Sequence, residues 1–205
     1  MSTVTQVNID AIGAYFDAYI YPNAVSKIGM FSDIDNNGKV VIYISDIDTD
    51  TRGFFWPYDI IPLASISDSV VYTNQVDMIY INIDMVQLYD SNKVLTHHTI
   101  AHEVVHLLSQ SIKLQKGSLN SFETWLEEGV AEGLVPVLLK EGDLTHYDHF
   151  ERVVTQDKIK QGLGLFSWET LGGIHNYTLA YTGDFEVFIV NPVFIEKGYS
   201  YTVIP

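Results

Sequence analysis

Two histidines and a glutamate fall within five residues, His102-Glu103-Val104-Val105-His106. On a helix, residues four apart lie one above the other, so both imidazoles reach one metal ion. Glu103 lies on the flank of that face. It cannot readily enter the same coordination sphere, but it reaches a water at the metal's open position. Zinc lowers the pKa of such a water to about 7, and the glutamate takes its proton as the water attacks a carbonyl. This spacing therefore points to metal-assisted hydrolysis, with His102 and His106 as ligands and Glu103 as general base. The bland alternative is a solvated helical face carrying two ordinary histidines. Against it, Ile100, Val104, Leu107 and Leu108 supply an apolar stripe that marks a buried amphipathic helix.

A catalytic zinc takes three protein ligands and keeps a fourth place for water. The chain has no cysteine, so the third ligand must be a histidine or a carboxylate. About twenty residues on, Trp125-Leu126-Glu127-Glu128-Gly129-Val130-Ala131-Glu132 brings three glutamates. Glu128 and Glu132 share a helical face, from which Glu127 is offset by about a hundred degrees. The economical assignment makes Glu128 the ligand and Glu132 an acceptor for a ring N–H of His102 or His106. The helical face alone does not choose between those two glutamates. An exposed acidic turn is the rival, but Gly129 and Ala131 among apolar residues suggest close packing.

Trp125 to Ala131 resembles the WLxEGxA segment of gluzincins, zinc peptidases with two histidine ligands and one glutamate ligand. That resemblance implies Glu128 as the ligand and Glu132 as the acidic residue supporting a histidine. More closely, the chain resembles the hyicolysin-type family of secreted bacterial neutral metallopeptidases. The residues that carry the likeness are Asp33-Ile34-Asp35-Asn36-Asn37-Gly38-Lys39-Val40 with its following strand, and Gly53-Phe54-Phe55-Trp56. Thr99-Ile100-Ala101-His102-Glu103, the Glu128 segment, and Asn176-Tyr177 with Tyr181 complete it. It covers about residues 15 to 182. It implies a zincin-like fold, peptide-bond hydrolysis by an endopeptidase, a protein or peptide substrate, and a secreted or cell-surface location. The stretch from Gly183 to Pro205 departs from the family, since Asn191-Pro192 interrupts an expected helix.

Other polar residues are weaker candidates. Hydrolysis through a tetrahedral intermediate wants a donor for the developing oxyanion, and His175, Tyr177 and Tyr181 are available for it. His98 extends the ladder of His102 and His106. Its ends are roughly 12 Å apart at about 1.5 Å rise per residue, too far to share one zinc, so His98 reads as a supporting or surface residue. His146 and His149 read as ordinary helix-start residues. Asp33-x-Asp35-x-Asn37-Gly38 matches the first half of a calcium-binding loop, but Ile44 stands where a bidentate glutamate belongs. A tight turn before a strand is the better reading, with structural calcium as the lesser one.

Composition sets the frame. The chain has 205 residues, 47% of them hydrophobic, which is enough for a sizeable core. A formal net charge of −15 with no basic cluster repels a phosphate backbone and argues against nucleic acid as a partner. Met1 to Gln6 lacks the basic and apolar stretches of a signal peptide, so a cytoplasmic address also stays open. No apolar run reaches the length of a membrane span. Oligomeric state is not legible.

The elements that must position these residues divide the chain in two. Helical spacing predicts a helix over Asn8 to Tyr21, with Asn8 as cap and Pro22 just beyond. Strands are expected over Lys39 to Ile44, Val70 to Tyr72 and Met78 to Ile83, with a loop at Gly53 to Pro57. Helices are expected over Thr96 to Ser111 and Ser121 to Glu141, separated by Gly117, with a third from near Thr145. Pro136 should kink or stop the second. The expectation is an α+β chain of one zincin-like domain over residues 1–205. Its N-terminal lobe, about 1–116, holds a mixed or antiparallel sheet and the active-site helix, and its C-terminal lobe, about 117–205, is mostly helical. Met78 to Ile83 is expected to form the cleft's upper edge, where an extended substrate adds by backbone pairing. The rival functions are a zincin-like binding or adhesion domain with weak or no catalysis, and a metal hydrolase acting on a non-peptide amide.

Overall fold

The structure is a computed structural model and describes residues 4–47, 51–66, 71–118, 124–141, 143, 178–182 and 186–190. Among them are helices and strands in both halves, an α+β organisation. Contacts divide the chain into two compact units, Met1–Asn120 with Val137–Lys140, and Ser121–Pro136 with the residues from Glu141 onward.

The first unit opens with α1, Gln6–Tyr15, continues through a π-helical turn at Phe16–Ile20, and ends in α2, Tyr21–Lys27. Two expectations fail here. The cap is Thr5, whose Oγ1 accepts the Asn8 backbone N–H at 3.2 Å. Asn8 itself is buried and donates through Nδ2 to the Val86 carbonyl at 3.0 Å. Nor does the helix end before Pro22. Proline lacks an N–H and crowds the carbonyl of the preceding turn, and the wider π turn just before it makes room for the ring.

Three strands form a mixed sheet: β1, Val41–Ser45, β2, Gly53–Phe54, and β3, Met78–Asn82. Their order is β1-β3-β2. The β1–β3 pair is parallel, running from Val41 opposite Met78 to Ser45 opposite Asn82. The β2–β3 pair is antiparallel, with Gly53 opposite Ile81 and Phe54 opposite Tyr80. β3 is therefore the central strand. The expectation that it forms an open edge is wrong, because β1 pairs along its whole length and β2 covers its other side at Tyr80 and Ile81. Residues 71 and 72 also carry no strand, and Val70 lies outside the described residues. The Tyr72 carbonyl accepts the Trp56 indole N–H at 3.0 Å rather than a ladder N–H.

The strand entrances are fastened by carboxylates. Buried Asp77 accepts the N–H and hydroxyl of Ser32 at 3.1 and 2.6 Å and the Ile34 N–H at 2.9 Å. The Asp33–Gly38 segment is a tight turn, with Gly38 at φ 69° donating its N–H to Asp33 Oδ1 at 2.8 Å. β3 stops at Asn82 because that side chain accepts the Asp84 N–H at 3.1 Å and caps α3, Ile83–Gln87.

The long helix α4, Tyr89–Gln115, is kinked at Asn92 (φ −133°, ψ 34°) and runs regularly after it, beyond both ends of the expected span. Ile100, Val104, Val105, Leu107 and Leu108 are fully buried, and α4 packs on β3, β2 and α1. It ends as a chain with glycine at the left-handed position must. Gly117 (φ 73°) donates to the Leu114 carbonyl and Ser118 to that of Lys113, each at 2.9 Å.

Helix α5, Thr124–Leu138, contains Pro136 and stops two residues later. Its last carbonyls are capped from α2, by Asn23 Nδ2 at Leu138 (3.0 Å) and Lys27 Nζ at Val137 (3.2 Å). In the second unit, β4, Thr178–Thr182, and β5, Glu186–Val190, form an antiparallel pair. For these ten residues the expectation of a mostly helical lobe does not hold, since Thr-Leu-Ala-Tyr-Thr and Glu-Val-Phe-Ile-Val are rich in β-branched and aromatic types. The helix expected from Thr145 lies outside the described residues.

Candidate metal centre

α4 carries His98, His102, Glu103 and His106 in successive turns. His102 and Glu103 are buried, at 8% and 7% exposure, and His106 is half-buried. The two Nε2 atoms of His102 and His106 stand 3.1 Å apart, with ring centroids at 4.8 Å and planes at 75°. Two nitrogens bound to one tetrahedral zinc at about 2.0–2.1 Å would stand about 3.3 Å apart. The observed spacing thus fits a shared ion as well as an imidazole pair bonded through one proton.

One ligand atom each from His102, His106 and Glu128 can be chosen so that all three lie within 4.8 Å of one another. Glu128 is half-buried on α5, and Glu132, one turn later, is buried. Two imidazoles and a carboxylate form a donor set suited to zinc. His98 is half-buried, and its ring stacks on that of His102 with centroids 6.4 Å apart. Tyr181 lies on β4 opposite Val187. His146, His149, His175 and Tyr177 lie outside the described residues.

The chain is 28% identical over 190 residues to the neutral metalloprotease ShpI of Staphylococcus hyicus, an alignment covering 87% of this chain and 41% of that protein. The chain is a distant homologue of a neutral metalloprotease. Together with the two-histidine, one-glutamate cluster, this agrees with the gluzincin resemblance carried by the WLEEGVA segment. The chain spans about two fifths of the length of that relative. No family model matches the chain, and no solved structure matches it. No helix among the described residues is long and apolar enough to cross a membrane.

Close packing holds α4 in place beneath the sheet. A Cβ at Gly53 would stand 2.9 Å from the Tyr80 carbonyl oxygen and 3.1 Å from Cγ2 of Thr99, one turn before His102. Only glycine lets β2 lie this near the turn that carries His102. Three buried polar groups escape sequence reasoning. His97 is buried, its Nε2 2.8 Å from the Tyr89 hydroxyl and its ring stacked on Tyr15 at 3.5 Å. On the helix it lies about 140° round from His102, off the face that His102 and His106 share. Burial and then the Asp90 charge push the Tyr89 hydroxyl up. Asp59, fully buried, accepts the Tyr80 hydroxyl at 2.6 Å and the Asn74 N–H at 2.7 Å. An acidic residue in a loop gives no sequence signal of burial. The Tyr-Asp pair after Pro57 hints only at a turn.

Proposed function

We propose that the chain is a zinc-dependent peptidase domain of zincin-like fold, acting on protein or peptide substrates outside the cell. The observation that carries this reading is the convergence of His102, His106 and Glu128 ligand atoms within 4.8 Å, in a homologue of a neutral metalloprotease. His102, His106 and Glu128 would hold the metal, and Glu132 would orient a ligand ring by accepting its N–H. Bound there, zinc would supply Lewis-acid polarisation of the scissile carbonyl and a more acidic attacking water.

Glu103 takes the proton from the water as it attacks and returns it to the leaving amine. Its burial keeps bulk water from competing for that proton. A second donor for the oxyanion is drawn from His175, Tyr177 and Tyr181. An extended substrate pairs with β2, the antiparallel edge of the sheet beside α4, rather than with the central strand β3.

The test is metal content and cleavage of unfolded casein with and without chelator. Wild type should bind one zinc per chain and lose activity on chelation. Glu103→Gln should keep the metal and lose about 10²–10⁴ in kcat. Glu128→Gln should lose the metal. Full activity in the Glu103→Gln variant would refute the assignment. Stoichiometric zinc without any peptide cleavage would favour a binding domain instead.

A further inference from the structure

β2 is only two residues long, and two register pairs hold it against β3. A strand this short does not fix its own position. A second contact does so. Phe54 of β2 stacks on its cross-strand partner Tyr80 with centroids 4.3 Å apart and planes at 5°. The Tyr80 ring is in turn held at its far end, where its hydroxyl donates to Asp59 Oδ2 at 2.6 Å and accepts from Asn74 Nδ2 at 2.8 Å. Asp59 is fully buried in the turn Pro57–Ile60, and its Oδ1 accepts the backbone and side-chain N–H groups of Asn74 at 2.7 and 3.0 Å. The Asp59 carbonyl also accepts the Val76 N–H at 3.0 Å, tying the same turn to the start of β3.

We infer that Asp59, acting through the Tyr80 hydroxyl, is a positioning residue that holds β2 at the height where an extended peptide pairs with it. It therefore sets substrate affinity rather than chemical rate. The inference rests on the reading of β2 as the substrate edge. Gly53 places that edge against Thr99, one turn from His102, so a tilt of Phe54 moves the paired peptide relative to the ligands. Burial, followed by the hydrogen bond to Asp59, pushes the Tyr80 hydroxyl far above the ordinary phenol range. It stays protonated, and so remains a donor, across the working range of any peptidase.

Tyr80→Phe removes the hydroxyl and keeps the ring stack, while Asp59→Asn keeps an acceptor and loses the charge. Tyr43→Phe is the control, since Tyr43 meets the Tyr80 ring edge-on at 5.7 Å but has no hydrogen bond to Asp59. Two readouts are taken on the full chain. One is kcat and KM for casein cleavage with zinc content. The other is anisotropy of fluorescein-labelled unfolded casein on the Glu103→Gln background, which requires no catalysis. Tyr80→Phe should raise KM and Kd by the same factor, up to about tenfold, the ceiling being reached if the whole worth of the lost hydrogen bond goes into ordering β2 for the peptide. kcat and zinc content should be unchanged, with Asp59→Asn falling between and Tyr43→Phe like wild type. An unchanged Kd, or a fall in kcat and zinc content at constant KM, overturns the inference. If Tyr80→Phe does not fold, Asp59→Asn decides by the same split. If wild type neither binds zinc nor cleaves casein, the peptidase reading falls. The anisotropy arm still decides whether the braced edge takes up an extended chain.

Discussion

Gly53→Ala probes how closely β2 lies on α4, the helix of His102 and His106. The added methyl would stand 2.9 Å from the Tyr80 carbonyl oxygen, 3.0 Å from Ile81 Cδ1 and 3.1 Å from Thr99 Cγ2. The first of these atoms is backbone in the central strand and cannot yield without distorting both ladders. Overpacking of this kind costs about 1–3 kcal/mol. Replacing glycine returns about 0.4–1 kcal/mol by restricting the unfolded chain. The net expectation is a loss of about 1–2 kcal/mol. For a chain of this size that lowers the melting temperature by roughly 2–8 °C. Thermal melts and urea titrations of the two proteins measure it directly. Casein affinity should fall with stability, because the strain is relieved by moving β2 off Thr99. A variant that melts at or above wild type would show that β2 does not rest on α4 at this distance, and the placement of the substrate edge would fall with it.

Asn8→Ala removes the donor that reaches the Val86 carbonyl across 78 positions of sequence and leaves that carbonyl buried without it. Urea titration should show a loss of about 1–3 kcal/mol, and a loss under about 0.5 kcal/mol would mean that water replaces the amide. Stability should also fall on the alkaline side. Tyr80 and Tyr89 both have hydroxyls raised above 10.0 in the folded state, the first by burial and Asp59, the second by burial and Asp90. The folded chain then holds protons that the unfolded chain has released, so their contribution is complete below pH 10.0 and is lost as pH rises beyond it. Chemical denaturation between pH 8 and 11 should show this decline, and Tyr80→Phe should flatten it. A wild-type profile flat across that range would contradict the buried hydroxyl network.

Local spacing settled the geometry of the polar groups on α4. Residues four apart on a helix must share a face wherever that helix lies, so His102 and His106 were bound to converge, and Glu103 to flank them. The WLEEGVA segment likewise offered Glu128 and Glu132 together, though on the helical face alone either could be the ligand. β1 and β3 were legible because β-branched runs between turn residues mark strands. The order of those strands was not. Pairing Val41 with Met78 joins segments 37 residues apart, and no local periodicity says which strand ends in the middle. Only the tertiary structure makes β3 central and leaves a two-residue glycine-phenylalanine strand at the edge, too short to show alternation. The capping of α1 turned the same way. Thr5 and Asn8 are both good caps, and the distant Val86 carbonyl decided between them by claiming the asparagine. Burial of Asp59 depended on where Asn74 and Tyr80 arrive in space. Residue type and spacing determined which groups could share a metal ion in this protein, while long-range pairing decided which strand borders them and what holds it there.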